Sequence, residues 1–474
     1  MLAVCLTLNA CMTTAKEEPT TKPEFKVPEK FQSDLPKKFK HSPEKTPDPT
    51  VQSGWLTGWL KTFADPKLDK LVQEVIEKNF DLQIAAAKVD AATASAKLAG
   101  VDLSPAVNLN LDSGNQRNLD GGLSNDTSSV GASLDVSWEL DVWGRIRAGH
   151  DAATDELVAT KLDFAFAKLS LAAQTAKAYF LAIETGRQLS LGENNVANYS
   201  KNLEVVNAFF EEGMVSIQDV HLAKSEKARE EDALGSNKSA HLEALRSLEA
   251  LLGRYPSAKV EIADTIPALP APVPVGIPSA VLERRPDIVS AERRVSSAFN
   301  NTTAAKAAKL PRISLTANFG TASNSLSNMT SLSNVMWNVA SNLMFPIFDA
   351  GRLDAQIEIA SAEQKQAIAA YQKTALDAFV DIETALTNET IFREREKSLR
   401  VAFRQAKLAE EIGMENYKAG EGNILDALQL QRATTSSRRA LSKIEQVLLV
   451  QRVNLYLGLG GDFKQTKLAQ GKKS

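Results

Sequence analysis

Residues 130 to 143 alternate without a break. Val130, Ala132, Leu134, Val136, Trp138, Leu140 and Val142 fall on one side of an extended chain; Gly131, Ser133, Asp135, Ser137, Glu139 and Asp141 fall on the other. Period two sustained this long exceeds the ~5–6 residues of an ordinary strand. It suits a tilted membrane strand of ~9–11 residues with its ends. A partner runs Val107, Leu109, Leu111 against Asn108, Asn110, Asp112. Further on, Ile313, Leu315, Ala317 and Phe319 oppose Ser314, Thr316, Asn318 and Gly320. A fourth segment, 335 to 348, carries Val335, Trp337, Val339, Leu343, Phe345 and Ile347 on one side, with Met336, Met344 and Phe348 interrupting its polar side. Residues 114 to 129 and 320 to 334 read as polar hairpin loops. The competing reading is a pair of amphipathic hairpins lying on a soluble core. Against it stands the polar side, uniform enough to line water.

Four strands cannot close a membrane barrel, which starts near eight. Open edges in lipid leave backbone groups unsatisfied at several kcal/mol each. Copies must therefore associate. Two chains give eight strands with a filled interior, and three give twelve strands with room for an aqueous lumen.

The chain repeats itself. Asn79-Phe80-Asp81-Leu82 answers to Arg285-Pro286-Asp287-Ile288, Pro105 to Pro311, Gly144-Arg145 to Gly351-Arg352, Gly213 and Asp219 to Gly420 and Asp426, and Gly253 to Gly460, always 206 or 207 residues apart. Proline marks the divisions: seven lie between residues 16 and 50 and seven between 256 and 286. The first cluster, among Lys, Glu and Thr, reads as an extended tether; the second joins two proline-poor blocks. The expected domains are 1–10 (signal), 11–54 (tether), 55–265 (first repeat), 266–460 (second repeat) and 461–474 (tail).

Each block begins with a helix, about 67 to 100 and 279 to 306, followed by its alternating pair and then two long helices. In the first, Leu162, Phe166, Leu169, Ala173, Ala176, Phe180 and Ile183 form a heptad seam. It resumes one residue out of phase at Val196, Tyr199, Leu203, Val206 and Phe210. Steps of 4 and 3 are coiled-coil spacing, and the break between Gly186 and Glu193 shifts the supercoil phase. Nearly 60 residues of helix reach about 90 Å.

Charge and cysteine narrow the function. Net charge is −3 with 24% charged residues, which gives no electrostatic footprint for nucleic acid. No run of 18 apolar residues exists, so any membrane crossing falls to strands. The two cysteines, Cys5 and Cys11, precede everything that folds; no internal disulfide and no cysteine metal site follows. His41, His150, His221 and His241 are scattered without metal spacing. "MLAVCLTLNAC" resembles the end of a bacterial lipoprotein signal, with Leu8 and Ala10 before Cys11. Asn9 is unusual there and the basic start is absent, which places the true start upstream.

Beyond these features, the chain resembles the TolC-like outer-membrane efflux family, in its lipoprotein branch of NodT-like and OprM-like outer membrane factors. The likeness spans residues 55 to 460. "GWLKTFADPKLDKLVQEVIEKNFDLQIAAAKV" is similar to the family's opening helix, and "LERRPDIVSAERRV" and "ELDVWGRIRA" to two specific signatures. The resemblance implies an α+β membrane protein: a homotrimer with a 12-stranded transmembrane β-barrel, four strands per chain, continued by a 12-helix coiled-coil barrel in the periplasm. It further implies a passive duct in the outer membrane of a Gram-negative bacterium. Its partners would be a periplasmic adaptor, an inner-membrane pump and outer-membrane lipid. No cofactor is expected beyond a covalent lipid at Cys11. Small-molecule efflux leads; metal efflux and type I protein secretion use the same fold.

A conduit has no chemical step, and no nucleophile elbow or phosphate loop appears in the sequence. The question becomes where it closes. In "ENYKAGEGNILDALQLQ", residues 415 to 431, the resemblance places Asp426 on an aspartate ring at the periplasmic aperture, with Gln429 in place of a second acidic ring and Tyr417 beside it. Three like charges near one axis favour cations; alternatively Asp426 is a first-turn carboxylate matched to a helix dipole. Gly213 and Asp219 in one turn, with Gly420 and Gly422 in the other, are the expected adaptor-docking tips, or ordinary αα-turns. Gly144, Arg145, Gly351 and Arg352 mark strand–helix corners, where glycine carries no Cβ penalty. Trp138 and Trp143 suit an interfacial aromatic girdle. "ERRPDI" reads as a helix entry, with Pro286 at the start and Asp287 in the first turn.

Overall fold

A computed structural model describes residues 58–120, 123–273 and 278–461. The signal, the tether, Cys11 and the tail after 461 lie outside the described residues. Two compact units emerge, and each draws on both halves of the sequence: Asp90–Thr160 with Ser290–Lys373, and 58–89 with Lys161–Val289 and 374–461.

The first unit holds one antiparallel sheet in the order β1-β2-β3-β4. Its strands are Ala106–Asp120, Leu123–Leu140, Arg312–Ser323 and Val335–Met344. The first pair runs far into the region read as a loop, because the ladder continues from Gly114↔Ser129 to Asp120↔Leu123. At the other end β2 stops at Leu140 and β4 at Met344, short of the expected 143 and 348. Register keeps the two faces distinct. Leu109, Leu134, Phe319 and Trp337 share one face. Asn108, Asp135, Asn318 and Asn338 form a row on the other. Asp135 accepts hydrogen bonds from Asn110 Nδ2 and Asn318 Nδ2 and, at 3.0 Å, from Ser133 Oγ. One carboxylate thus stitches three strands on the polar face.

In the same unit helices pack against one another through small hydroxyls. These are α2 (Phe80–Val101), α3 (Arg145–Glu211), α6 (Pro286–Ala307) and α7 (Arg352–Lys418), each entering this unit in part. Ser290 and Ser297 of α6 donate to Ala159 O and Ala152 O of α3 at 3.0 and 2.9 Å, and Thr302 donates to Ala360 O of α7 at 3.1 Å. Such bonds satisfy buried hydroxyls while letting backbones come close.

The opening helix is broken in both halves, against the expectation of one piece. In the first half α1 (Pro66–Lys78) precedes α2, and in the second α5 (Pro278–Arg284) precedes α6. Asn79 leaves the helical region at φ −65, ψ 131. Its Oδ1 caps Leu82 N at 3.2 Å and its Nδ2 donates to Leu251 O at 3.0 Å. At the matching break Arg285 reaches Asp287 through two bonds, 3.1 and 2.8 Å, and Asp381 of α7 at 3.4 Å. Its guanidinium lies 5.7 Å from the Phe166 ring centre. "ERRPDI" is therefore more than a helix entry: it fastens the break to α3 and α7.

The second unit is built on helical pairs, the remainder of α3 with α4 (Ile217–Leu251) and the remainder of α7 with α8 (Ile424–Gly458). α3 and α7 have 67 residues each, and α4 and α8 have 35 each. A short 3₁₀ turn, Gly58–Phe63, sends Trp59 to stack on Tyr456 at 5.3 Å and Phe63 onto Phe180 at 5.1 Å. Tyr179 donates its hydroxyl to Asp65 at 2.7 Å and accepts from Ala263 N at 3.2 Å. The heptad seam holds with one change of phase. Tyr199 and Val206 are buried and Phe209 packs beside them, whereas Phe210, placed on the seam by sequence, is 40% exposed.

A buried ion pair clasps the connector. Arg452, 0% exposed, donates to both Glu389 oxygens at 3.0 and 2.6 Å, to Pro270 O at 2.8 Å and to Ala271 O. Burial opposes the Glu389 carboxylate, but Arg452 and Arg393 more than offset it and hold the group below its usual range. Arg452→Leu should cost about 3–5 kcal/mol, because it strands a buried charge. The depressed carboxyl makes this contribution complete above the ordinary range near ~4.3 and lost as pH falls through the folded value. Thermal midpoints of both proteins in detergent check this: the gap should be wide at pH 7 and shrink below pH ~4.

Candidate functional site

The first unit's sheet has faces of opposite character. Val107, Leu109, Leu111, Phe319, Trp337, Val339 and Leu343 are exposed on one, and the Asn–Asp row lies on the other. Large apolar side chains standing in the open on every strand are what lipid solvates and water does not. Among the described residues β1 and β4 each have one neighbour only, so two strand edges stand unpaired.

At the corners the chain turns from strand to helix with the same means twice. Gly144 and Gly351 take φ +75 and +82, a conformation with a steric cost for any residue carrying Cβ. A carboxylate then caps the helix. Asp141 accepts from Ile146 N and Arg147 N, both at 2.9 Å, and Asp349 from Leu353 N at 3.0 Å. Arg145 folds back onto Glu139 at 2.9 Å, while Arg352 approaches Asp349 at 3.8 Å. The corner tryptophans are tied by their N–H groups. Trp138 donates to Leu103 O at 3.2 Å and Trp143 to Pro311 O at 2.6 Å.

In the second unit, the helix-to-helix turns also share a construction. Gly213 and Gly420 take φ +75 and +77. Met214 N reaches Phe209 O at 2.8 Å, and Glu421 N reaches Asn416 O at 2.9 Å, the Schellman arrangement that closes a helix end. Gly422 lies so near α7 that a Cβ would stand 3.0 Å from Tyr417 N. The helix starts differ. Ser216 and Asp219 make a reciprocal capping box on α4, with Asp219 accepting from Ser216 N at 2.9 Å and Ser216 Oγ at 2.8 Å. On α8 the cap is Asn423, which accepts from Leu425 N at 3.0 Å. Asp426, at the position matching Asp219, is exposed and makes no hydrogen bond or ion pair among the described residues. Gln429 is exposed too.

Tyr417 needs correcting. Grouped by sequence with the aperture, it is 3% exposed and packs 5.5 Å from Phe209 in a core with Tyr199, Val206, Ile424 and Leu428. Its position one turn before Gly420 points it inward between the helices. Burial, then the nearby Asp219, raises its phenol above the ordinary range, and its hydroxyl has no hydrogen-bond partner.

The family model for outer membrane efflux proteins matches this chain twice, over residues 71–254 and 277–461. The chain belongs to the outer membrane efflux protein family. The two matched stretches begin 277 − 71 = 206 residues apart and end 461 − 254 = 207 apart, the interval read from the sequence. The chain is 32% identical over 421 residues to the pyoverdine export outer membrane protein OpmQ of Pseudomonas putida, covering 86% of this chain and 88% of OpmQ. It is 28% identical to the cation efflux system protein CusC of Escherichia coli, covering 85% and 88%. Among solved structures the outer-membrane channel OprN superposes with a TM-score of 0.82 at 25% identity, covering 93% of this chain and 99% of OprN. This efflux protein therefore resides in the outer membrane.

Sequence reasoning missed the Arg452–Glu389 clasp. Its partners lie 63 positions apart, and no local pattern links them. It also missed that Asp219 is consumed by a cap while Asp426 is not; the exchange of Ser216 for Asn423 was the available signal. The buried, unpaired Tyr417 hydroxyl yields a test. Tyr417→Phe removes a polar atom that burial penalises and should leave thermal stability unchanged or raise it by up to ~1–3 kcal/mol. Asp219→Ala should lower it by about 0.5–2 kcal/mol. Denaturation midpoints of the two variants check both signs.

Proposed function

We propose that the functional unit is a homotrimer forming a 12-stranded barrel with a periplasmic helical tunnel. In this reading each chain carries a duplicated unit and serves as the passive outer-membrane duct of a tripartite system with an adaptor and an inner-membrane pump. One observation carries this: the two unpaired sheet edges continue into helices whose own open faces match. Just before β1, exposed Ala91, Ala94, Leu98 and Val101 step along α2 by 3, 4 and 3 residues. Soon after β4, exposed Ala355, Ile359, Ala362, Gln366 and Ala369 step along α7 by 4, 3, 4 and 3. These are heptad seams without a partner among the described residues. Pairing β4 with β1 of the next copy satisfies the edges and sets α7 beside that copy's α2. Eight strands leave no open lumen and twelve do, which favours three copies.

The relatives export pyoverdine in one case and cations in another, as their names state, which supports a duct that leaves cargo choice to its pump. Small-molecule export remains the leading reading. A lipid at Cys11 would anchor the chain start to the same membrane. In this assembly the Gly213 and Gly420 turns, with Gly422, face the adaptor, and Asp426 and Gln429 line the aperture.

Cysteine pairs test the assembly, since native cysteine is confined to Cys5 and Cys11. Leu98→Cys with Ile359→Cys, and Val101→Cys with Ala355→Cys, should oxidise to covalent dimers and trimers that the single variants do not form. Native mass in detergent should give three chains per particle. A monomer that conducts ions would overturn the trimer.

Asp426 has its own test. Asp426→Ala should weaken cation preference and relieve block by multivalent cations in planar-bilayer recordings. As a dipole-matched first-turn residue alone it would cost only ~0.3–1 kcal/mol of stability and leave conductance unchanged.

A further inference from the structure

Within the second unit a groove of about 700 Å³ opens between α3, α4, α7, α8 and the connector at Ile262–Asp264. That volume lies in the range of small-ligand sites, ~300–1,000 Å³. Its lining carries three cations, Arg187, Lys407 and Arg438, against one carboxylate, Asp264. Their engagements differ. Arg187 is paired with Glu445 at 2.9 Å. Lys407 meets Glu411 at 3.6 Å in an exposed i,i+4 pair, an interaction that water largely screens. Arg438 lies over the Phe403 ring at 5.8 Å and has no carboxylate partner among the described residues.

Two neutral groups on the same walls are incompletely satisfied. Ser442 is 2% exposed, and its hydroxyl has no hydrogen-bond partner. A buried hydroxyl without a partner costs free energy that a bound ligand would recover. His241 meets Thr185 Oγ1 through Nδ1 at 3.2 Å. Thr185 directs its own proton to the carbonyls of Leu181 and Ala182, both at 3.0 Å. It therefore accepts from Nδ1–H, which leaves Nε2 for another partner.

We propose that this groove is a binding site for a small anion carrying a hydroxyl beside its anionic oxygens, a hydroxycarboxylate or a phosphate monoacid. The anionic oxygens answer to Arg438 and Lys407, and guanidinium–oxyanion bonds are the strong ones. The hydroxyl answers to Ser442 and to His241 Nε2. Asp264 opposes the ligand and sets an upper limit on its charge. The site is separate from the tip, and every group in it belongs to the second unit of one protomer.

Isothermal titration of the detergent-solubilised full chain with citrate, and with its deoxy analogue tricarballylate, tests the assignment. Citrate should bind saturably at one site per chain, and tricarballylate ~5–10-fold more weakly, the loss expected for one hydrogen bond. Ser442→Ala should bring the two ligands within about 2-fold of each other. Arg438→Glu should weaken citrate at least ~10-fold. Asp264→Asn, an exposed change with no bearing on the core, should tighten it. Titration with inorganic phosphate separates the phosphate source from the carboxylate one. Absence of saturable heat with citrate and with phosphate would overturn the site. So would equal citrate affinity in wild type, Arg438→Glu and Asp264→Asn.

Discussion

A main-chain amide inside hydrocarbon has no water to bond, and much of this fold follows from that. The sheet satisfies its interior ladders and leaves two rows of donors and acceptors at β1 and β4. In lipid each such group costs several kcal/mol, far more than any side-chain contact at the same place returns. Among the described residues there is no fifth strand to cover them, and in the assembly proposed above the β4 edge of one copy meets the β1 edge of the next. The same constraint reaches the helices. α2 ends where β1 begins and α7 begins where β4 ends, so pairing edges also pairs helices, and the alanine-rich seams are what a close approach requires.

Long helices bring the opposite difficulty. Their backbones are satisfied internally, and what they lack is a way to fix one against another over many turns. This protein adds sparse polar pins to its buried apolar seams. Arg285 holds a helix break to α7 through Asp381, Arg452 holds the connector to α7 through Glu389, and serine hydroxyls of α6 sit on carbonyls of α3. Each pin buries a polar group that only one register satisfies, which trades stability for definition.

What could be read from the sequence follows the range of the interaction. Period two marked all four strands because a sheet with one apolar face forces it. The strand lengths were misjudged at 114–129, where polar residues on both sides resemble a loop although the ladder persists. Pro286 marked a helix entry but not the short helix before it, and the break at Asn79 was missed because its side chain also leans on Leu251, remote in sequence. Phe210 rather than Phe209 was placed on the seam because a single-residue phase error is undetectable once Gly186 and Gly192 admit α4 side chains against α3. Tyr417 was misassigned because its stretch looks like a turn, and burial depends on the neighbouring pair of helices.

The two turns of the second unit are the most informative comparison within the chain. Both end in a Schellman glycine, and both place an aspartate three residues into the next helix. In one, Ser216 and Asp219 satisfy each other, and the carboxylate serves the helix start. In the other, Asn423 caps alone and leaves the Asp426 carboxylate free in solvent. A first-turn carboxylate gains from the helix dipole whether or not it is bonded, so the dipole accounts for both aspartates and distinguishes neither. The unbonded one keeps its acceptor oxygens open to whatever lies across from it. Three such groups converging on one axis would feel each other strongly, and a capping partner would have diminished that effect.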